Sequence, residues 1–177
     1  MKVTEALKGK SLSLAAIDES HATETYALWL NDKDVGRYME TRHKRWTTES
    51  IKGFINEQNA SSDQMLFGIF QENGAHIGNI KLGPINIIHK NAQISLFIGD
   101  KNAWGKGYAT EAISLVRDYA FQKLHLQKLT AGMYSANQGS YRAFLAAGFK
   151  LEGTLKSHCL DADGKRTDVL QVGLASA

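Results

Sequence analysis

From Leu12 onward the apolar residues alternate with small or polar ones, as Leu12, Leu14 and Ala16, and this period of two predicts a first strand ending before Asp18. Ser20 then stands as an N-terminal cap for a helix through Tyr26, Trp29 and Leu30. A second helix is predicted where Thr47 offers a cap, Glu49 a carboxylate in the first turn, and Ile51, Phe54 and Ile55 keep helical spacing. Met65 to Phe70 and His76 to Leu82 are strand-like runs parted by Glu72-Asn73-Gly74, and an Asn-Gly pair in that place predicts an antiparallel hairpin. Gln93 to Gly99 reads as another strand, and Thr110 to Lys123 as a helix, with Ala112, Ile113, Val116, Ala120 and Leu124 on one stripe. Leu126 to Tyr134 is again strand-like, Gln138 to Ala147 is helical with Gly148 as its stop, and two last strands flank Asp161-Ala162-Asp163-Gly164. The order β-α-α-β-β-β-α-β-α-β-β predicts an α/β (α+β mixed) fold. Its mixed, mostly antiparallel sheet has about seven strands, with about four helices on its faces.

Composition adds bounds. A chain of 177 residues, 43% apolar and 22% charged, suits one globular domain over 1–177, and no repeat, low-complexity stretch or linker interrupts it. A single cysteine, Cys159, excludes an internal disulfide. The first thirty residues lack a charged-then-apolar leader, and no apolar run approaches the roughly 18 residues of a spanning helix, so the cytoplasm is expected and a membrane is not. The net charge of +3 is the difference between 21 basic and 18 acidic residues, too small and too scattered for a nucleic-acid partner. One local cluster remains, Arg37, Arg42, His43, Lys44 and Arg45, read either as a solvated loop or as a seat for an anionic group on a substrate.

The segment Trp104-Gly105-Lys106-Gly107-Tyr108-Ala109-Thr110-Glu111-Ala112 falls where a strand hands over to a helix. Two glycines and an alanine leave the backbone bare there, so several N–H groups and the positive end of the helix dipole converge on one spot. Such a turn serves either tight geometry or an anion such as a pyrophosphate. There is no Gly-Lys-Ser/Thr, and three antiparallel strands precede the turn in place of a βαβ unit, so the P-loop and Rossmann readings both fail.

This segment resembles the acetyl-CoA pyrophosphate loop of the GNAT superfamily of N-acetyltransferases, written Arg/Gln-x-x-Gly-x-Gly/Ala. Trp104 stands in for the Arg or Gln, as it does in the branch of ribosomal-protein N-terminal acetyltransferases. Asn137-Gln138-Gly139-Ser140 followed by Ala147-Gly148-Phe149 is similar to the family's second block, and the likeness runs from about residue 11 to 175. The resemblance implies acetyl-CoA as co-substrate, no metal, a primary amine as acceptor and, commonly, a homodimer. It further implies that Trp104, Gly105, Lys106, Gly107, Tyr108, Ala109 and Thr110 hold the pyrophosphate. The backbone of Phe97, Ile98 and Gly99 would then bind the pantetheine arm, with Asn137 and Ser140 on its other side.

Acetyl transfer to an amine needs a deprotonated nitrogen, a polarised carbonyl and a proton for the departing thiolate. Where relatives place a glutamate base this chain has Gln93, and where they place a tyrosine acid it has Phe144, so neither usual proton carrier is present. Glu40 becomes the candidate base, with pairing to Arg42 as the plainer reading. Tyr134 and Ser140 are candidates near the sulfur, Tyr134 being equally placed for the core. His89 and His158 are further candidates for the base, with turn or surface positions as the plainer reading, and Cys159 reads as a small buried hydrophobe. An N-acetyltransferase working by direct attack in a ternary complex is therefore expected, on a protein N-terminus, an amino sugar nucleotide or a small amine. A non-catalytic acyl-CoA sensor of the same fold is the alternative.

Overall fold

The computed structural model describes residues 3–176. Eight strands form one sheet: β1 (Leu7–Lys8), β2 (Leu12–Ala16), β3 (Met65–Gln71), β4 (His76–Asn86), β5 (Asn91–Ile98), β6 (Lys128–Tyr134), β7 (Lys150–Leu160) and β8 (Arg166–Ala175). Their spatial order is β1-β2-β3-β4-β5-β6-β8-β7. Among the described residues only β5 and β6 run parallel. The mixed, mostly antiparallel sheet is thus as expected, with β1 as an eighth strand too short to show a period.

Five helices pack on it: α1 (Glu24–Asn31), the short α2 (Lys33–Gly36), α3 (Thr48–Ala60), α4 (Tyr108–Gln122) and α5 (Gln138–Ala146). The cap of α1 is Thr23, whose hydroxyl accepts from the Tyr26 N–H, and not Ser20. Ser20 lies instead in a 3-10 turn that Asp18 caps, because the Asp18 carboxylate competes successfully for the nearby N–H groups. Thr47 caps α3 as expected, its partner in the capping box being Ser50. The first strand also departs from its pattern at Ala16, which is exposed, while Ile17 turns inward.

Two apolar layers result. Leu12, Leu14, Ile80, Leu82 and Ile94 meet Ala112, Ile113, Val116 and Ala120 of α4 and Phe144 of α5 on one face. Ile17, Tyr26, Leu30, Trp46, Ile51, Ile55 and Leu66 join α1 and α3 to the other. Each fully buried Ile or Val contributes roughly 1.5–3 kcal/mol of transfer free energy, so the predicted stripe of α4 is what fixes that helix to the sheet. The parallel pair is short, Asn91–Gln93 against Lys128–Thr130, after which β5 and β6 part.

Candidate active site

Where β5 and β6 separate, a cleft of about 540 Å³ passes through the sheet. Its walls come from both apolar layers: Tyr26, Trp46, Phe54 and Leu66 on one side, Asn137, Ser140 and Phe144 on the other. Phe97, Tyr134, Glu40, His158 and Cys159 also line it. The opening follows from the ladder. The Gly99 N–H donates to Ile77 O at 2.8 Å, and the antiparallel register pairs Phe97 with Asn79. In such a ladder alternate residues turn their backbone groups to the same neighbour, so Phe97 and Gly99 face β4 while Leu96 and Ile98 face the gap. Of the strand residues expected to bind the pantetheine arm, Ile98 thus has its backbone in the gap, where Trp104 Nε1 donates to its carbonyl at 2.8 Å. Leu96, which the sequence did not single out, joins it.

The glycine turn lies just beyond β5. Gly105 and Gly107 have φ of 73° and 85°, a region other residues enter at a cost, and a Cβ on either would meet nothing within 4 Å. Gly107 is the N-cap of α4 and offers no side-chain cap, so the first N–H groups of the helix lack an intrahelical partner. Lys106 is exposed beside them, and the Tyr108 hydroxyl accepts from Gln71 Nε2 at 3.0 Å, which ties the turn to β3. An open, positively poled cradle of this kind fits a pyrophosphate.

At the other end of the cleft, Tyr134 Oη donates to Glu40 Oε1 and accepts from Arg42 Nη1 at 3.0 Å. Burial, followed by the Glu40 carboxylate, raises the Tyr134 hydroxyl above its ordinary pKa. The Glu40 side chain is 74% exposed at the rim and lies 3.9 Å from Arg42 Nη1. Arg42 itself is only 10% exposed and also donates to Met39 O and Leu160 O. The basic cluster therefore divides: Arg37, Lys44 and Arg45 are in solvent, whereas Arg42 is built into the site wall. Glu40 pairs with Arg42 and also lines the cleft.

Asn137 Oδ1 accepts from the Ser140 N–H at 3.2 Å and so caps α5, which leaves its Nδ2 as the group available to a ligand. Phe144 is buried edge-to-face against Phe149. Gln93 lies outside the main cleft, lining a second hollow of about 370 Å³ with Asp63, Asn86, Asn91 and Thr130. His89 is exposed and does not line the cleft, while His158 is exposed and does. Cys159 is partly buried in the cleft wall. Among the described residues no cluster of His, Cys, Asp and Glu is arranged to hold a metal ion. No helix among them is long and apolar enough to cross a membrane.

Tyr26, Asn79 and Lys81 are among the cleft residues that the sequence did not place in the site. Asn79 is a buried amide amid apolar neighbours, a polar interruption of the kind that signals a site. Lys81 is half-buried, and burial lowers its pKa, with Asp63 and Glu57 opposing.

Residues 11–150 match the family described as Acetyltransferase (GNAT) domain. Over 161 residues the chain is 33% identical to the "Probable N-acetyltransferase YjcK" of Bacillus subtilis (strain 168), covering 86% of this chain and 87% of that protein. Its fold is similar to spermidine N-acetyltransferase from Vibrio cholerae in complex with CoA and spermine, at a TM-score of 0.84 and 22% identity over 94% of this chain and 96% of that one. It is also similar to a GNAT-family acetyltransferase from Bacillus anthracis, at a TM-score of 0.82 and 21% identity over 97% and 98% of the two chains. The chain belongs to the GNAT family of acetyltransferases, which use acetyl-CoA, and its reaction class is acyl transfer.

Proposed function

We propose that this protein acetylates a primary amine of low basicity, of the kind found at a peptide N-terminus or on an amino sugar, in preference to an alkyl polyamine. The observation that carries this is the charge in the cleft: among its described lining residues Glu40 is the one carboxylate, it sits at the exposed rim, and the cation Lys81 lies further along the wall. A polycation would find one counter-charge and one repulsion. The proton balance points the same way. An α-amine, with a pKa near 7.7–8.0, is roughly one-third neutral at pH 7.5, whereas an alkylamine near 10.4 is about 0.1% neutral. A site with Gln93 outside the cleft and Phe144 in the core has little machinery to make up that difference.

Acetyl-CoA brings an acetyl thioester to the site. Gly105, Lys106, Gly107 and the first N–H groups of α4 would hold its pyrophosphate, and the gap-facing backbone of Leu96 and Ile98 together with Asn137 Nδ2 its arm. Glu40 takes the proton that the attacking nitrogen loses. Its hydrogen bond to Tyr134 makes this step informative, because a protonated Glu40 no longer needs the Tyr134 hydrogen. That hydrogen is then released toward the leaving sulfur, and the proton held on Glu40 passes to the Tyr134 oxygen across the same hydrogen bond, so both groups end as they began; Ser140 Oγ is a second donor in the same wall. Cys159 is a bystander, so attack is direct.

The test is thiol release from acetyl-CoA over a panel of amines at pH 7.5. Peptide amides and amino sugars should exceed polyamines in kcat/KM, and Glu40→Gln should lower kcat on the best acceptor by about 10²-fold. Cys159→Ala should leave turnover intact. Preference for spermine would overturn the acceptor assignment. Thermal stabilisation by CoA without release of thiol for any amine would identify the sensor instead.

A further inference from the structure

Behind the cleft wall a short chain of polar groups runs through otherwise apolar surroundings. His76 Nε2 lies 3.0 Å from Gly78 O and 2.8 Å from Asn79 Oδ1, and Asn79 Nδ2 donates to Tyr26 Oη. Aromatic rings enclose the imidazole: Phe70 stacks on it with centroids 5.0 Å apart, and Trp29, Tyr26 and His21 meet it edge-on. Asn79 is 3% exposed and Tyr26 1% exposed, yet both line the cleft.

The direction of every hydrogen in this chain follows from one carbonyl. Gly78 O can only accept, so His76 Nε2 must carry its proton. A protonated Nε2 requires the Asn79 amide to present its oxygen, which turns the Asn79 NH2 toward Tyr26. The Tyr26 oxygen is thus an acceptor of that bond, and its own hydrogen has to point elsewhere. Among the described residues no acceptor meets it, and the open space beside the ring is the cleft. Burial lowers the His76 pKa, which keeps the ring neutral and the arrangement unchanged at neutral pH.

We propose that Tyr26 is a specificity-determining donor, aimed by His76 and Asn79, that reads a carbonyl or carboxylate oxygen on the acyl acceptor. This rests on the low-basicity amine reading and sharpens it toward peptide N-termini, which carry a carbonyl oxygen beside the nitrogen, whereas amino sugars offer hydroxyl and ether oxygens there and simple alkylamines none. A hydroxyl already hydrogen-bonded on its oxygen is the stronger donor and cannot turn away without breaking the chain. His76 and Asn79 are positioning residues, for they act only through Tyr26.

The test compares two primary amines of similar low basicity and size, glycinamide with its carbonyl and propargylamine without one. Wild-type enzyme should favour glycinamide in kcat/KM by about tenfold, chiefly through KM. Tyr26→Phe should erase that preference by weakening glycinamide alone. Because that variant leaves the Asn79 NH2 unpaired, Tyr26→Phe combined with Asn79→Leu removes both polar groups and should show the same lost preference in a fully folded protein. Asn79→Leu alone, which lets the hydroxyl swing, should lose part of the preference. Equal losses on both amines in Tyr26→Phe, or a preference that survives it, would overturn the assignment of Tyr26. Wild-type inactivity toward both amines would overturn the underlying acceptor reading, a result distinct from either.

Discussion

Single residues carry unequal weight in the site wall. Arg42 and Arg45 are neighbours in sequence and opposites in setting: one is nearly enclosed and bonds Met39 O, Leu160 O and Tyr134, the other is in solvent. Arg42→Ala should destabilise the protein by about 1–3 kcal/mol, because two carbonyls lose their donor, whereas Arg45→Ala should fall within about 0.5 kcal/mol of wild type. Chemical denaturation of both variants measures the contrast, and the Arg42 variant should lose activity as well, since Tyr134 and Glu40 lose a support. His76 gives a pH signature. Its pKa in the fold lies below the ordinary 6.5, so the unfolded chain binds more protons between those two values. Stability is therefore full above about 6.5 and falls as pH drops through the folded value. Thermal midpoints between pH 7.5 and 5 should show this fall, and His76→Gln, which keeps a donor and does not titrate, should flatten it. These residue-level facts were the least legible in the sequence. Glu40, Tyr134, Ser140 and Asn137 could be named, but the partners Arg42 and Tyr26 lie 92 and 53 positions from the groups they bond. Tertiary packing brings them together, and no local spacing records it.

Elements were legible wherever a period or a turn residue spoke clearly. The Asn73-Gly74 hairpin, the stripe of α4, the Thr47 cap and the Gly148 stop all appear where the residues place them. The exceptions are local competitions that composition does not rank, as at Asp18 and Thr23, and elements such as β1 and α2 that are too short for periodicity. The turn before α4 is the element whose chemistry depends most on one residue type. A side chain on Gly107 would cost about 1–2 kcal/mol in the left-handed region it occupies and would also stand in the anion cradle. Gly107→Val should therefore lower the thermal midpoint modestly, while weakening CoA binding by calorimetry at least tenfold.

The whole molecule is organised by the place where its sheet fails to close. Two apolar layers, each complete, are built on opposite faces, and the cleft joins them only because β5 and β6 pair over three residues and then diverge. In the proposed function the glycine turn and α5 would serve acetyl-CoA while α1, α3 and the Glu40 turn would serve the amine, with Tyr134 between. The strand, helix and strand order implied a mixed sheet, but not the length of the parallel ladder, which is only three residues on each strand. The alternation along β5 has a kinetic counterpart. Amides of Phe97 and Gly99, already engaged by β4, should exchange slowly with deuterated solvent whether or not CoA is present, while those of Leu96 and Ile98 should exchange quickly until it is added. One strand would thus keep two clocks in alternate residues, and only one of them would register the arrival of the ligand.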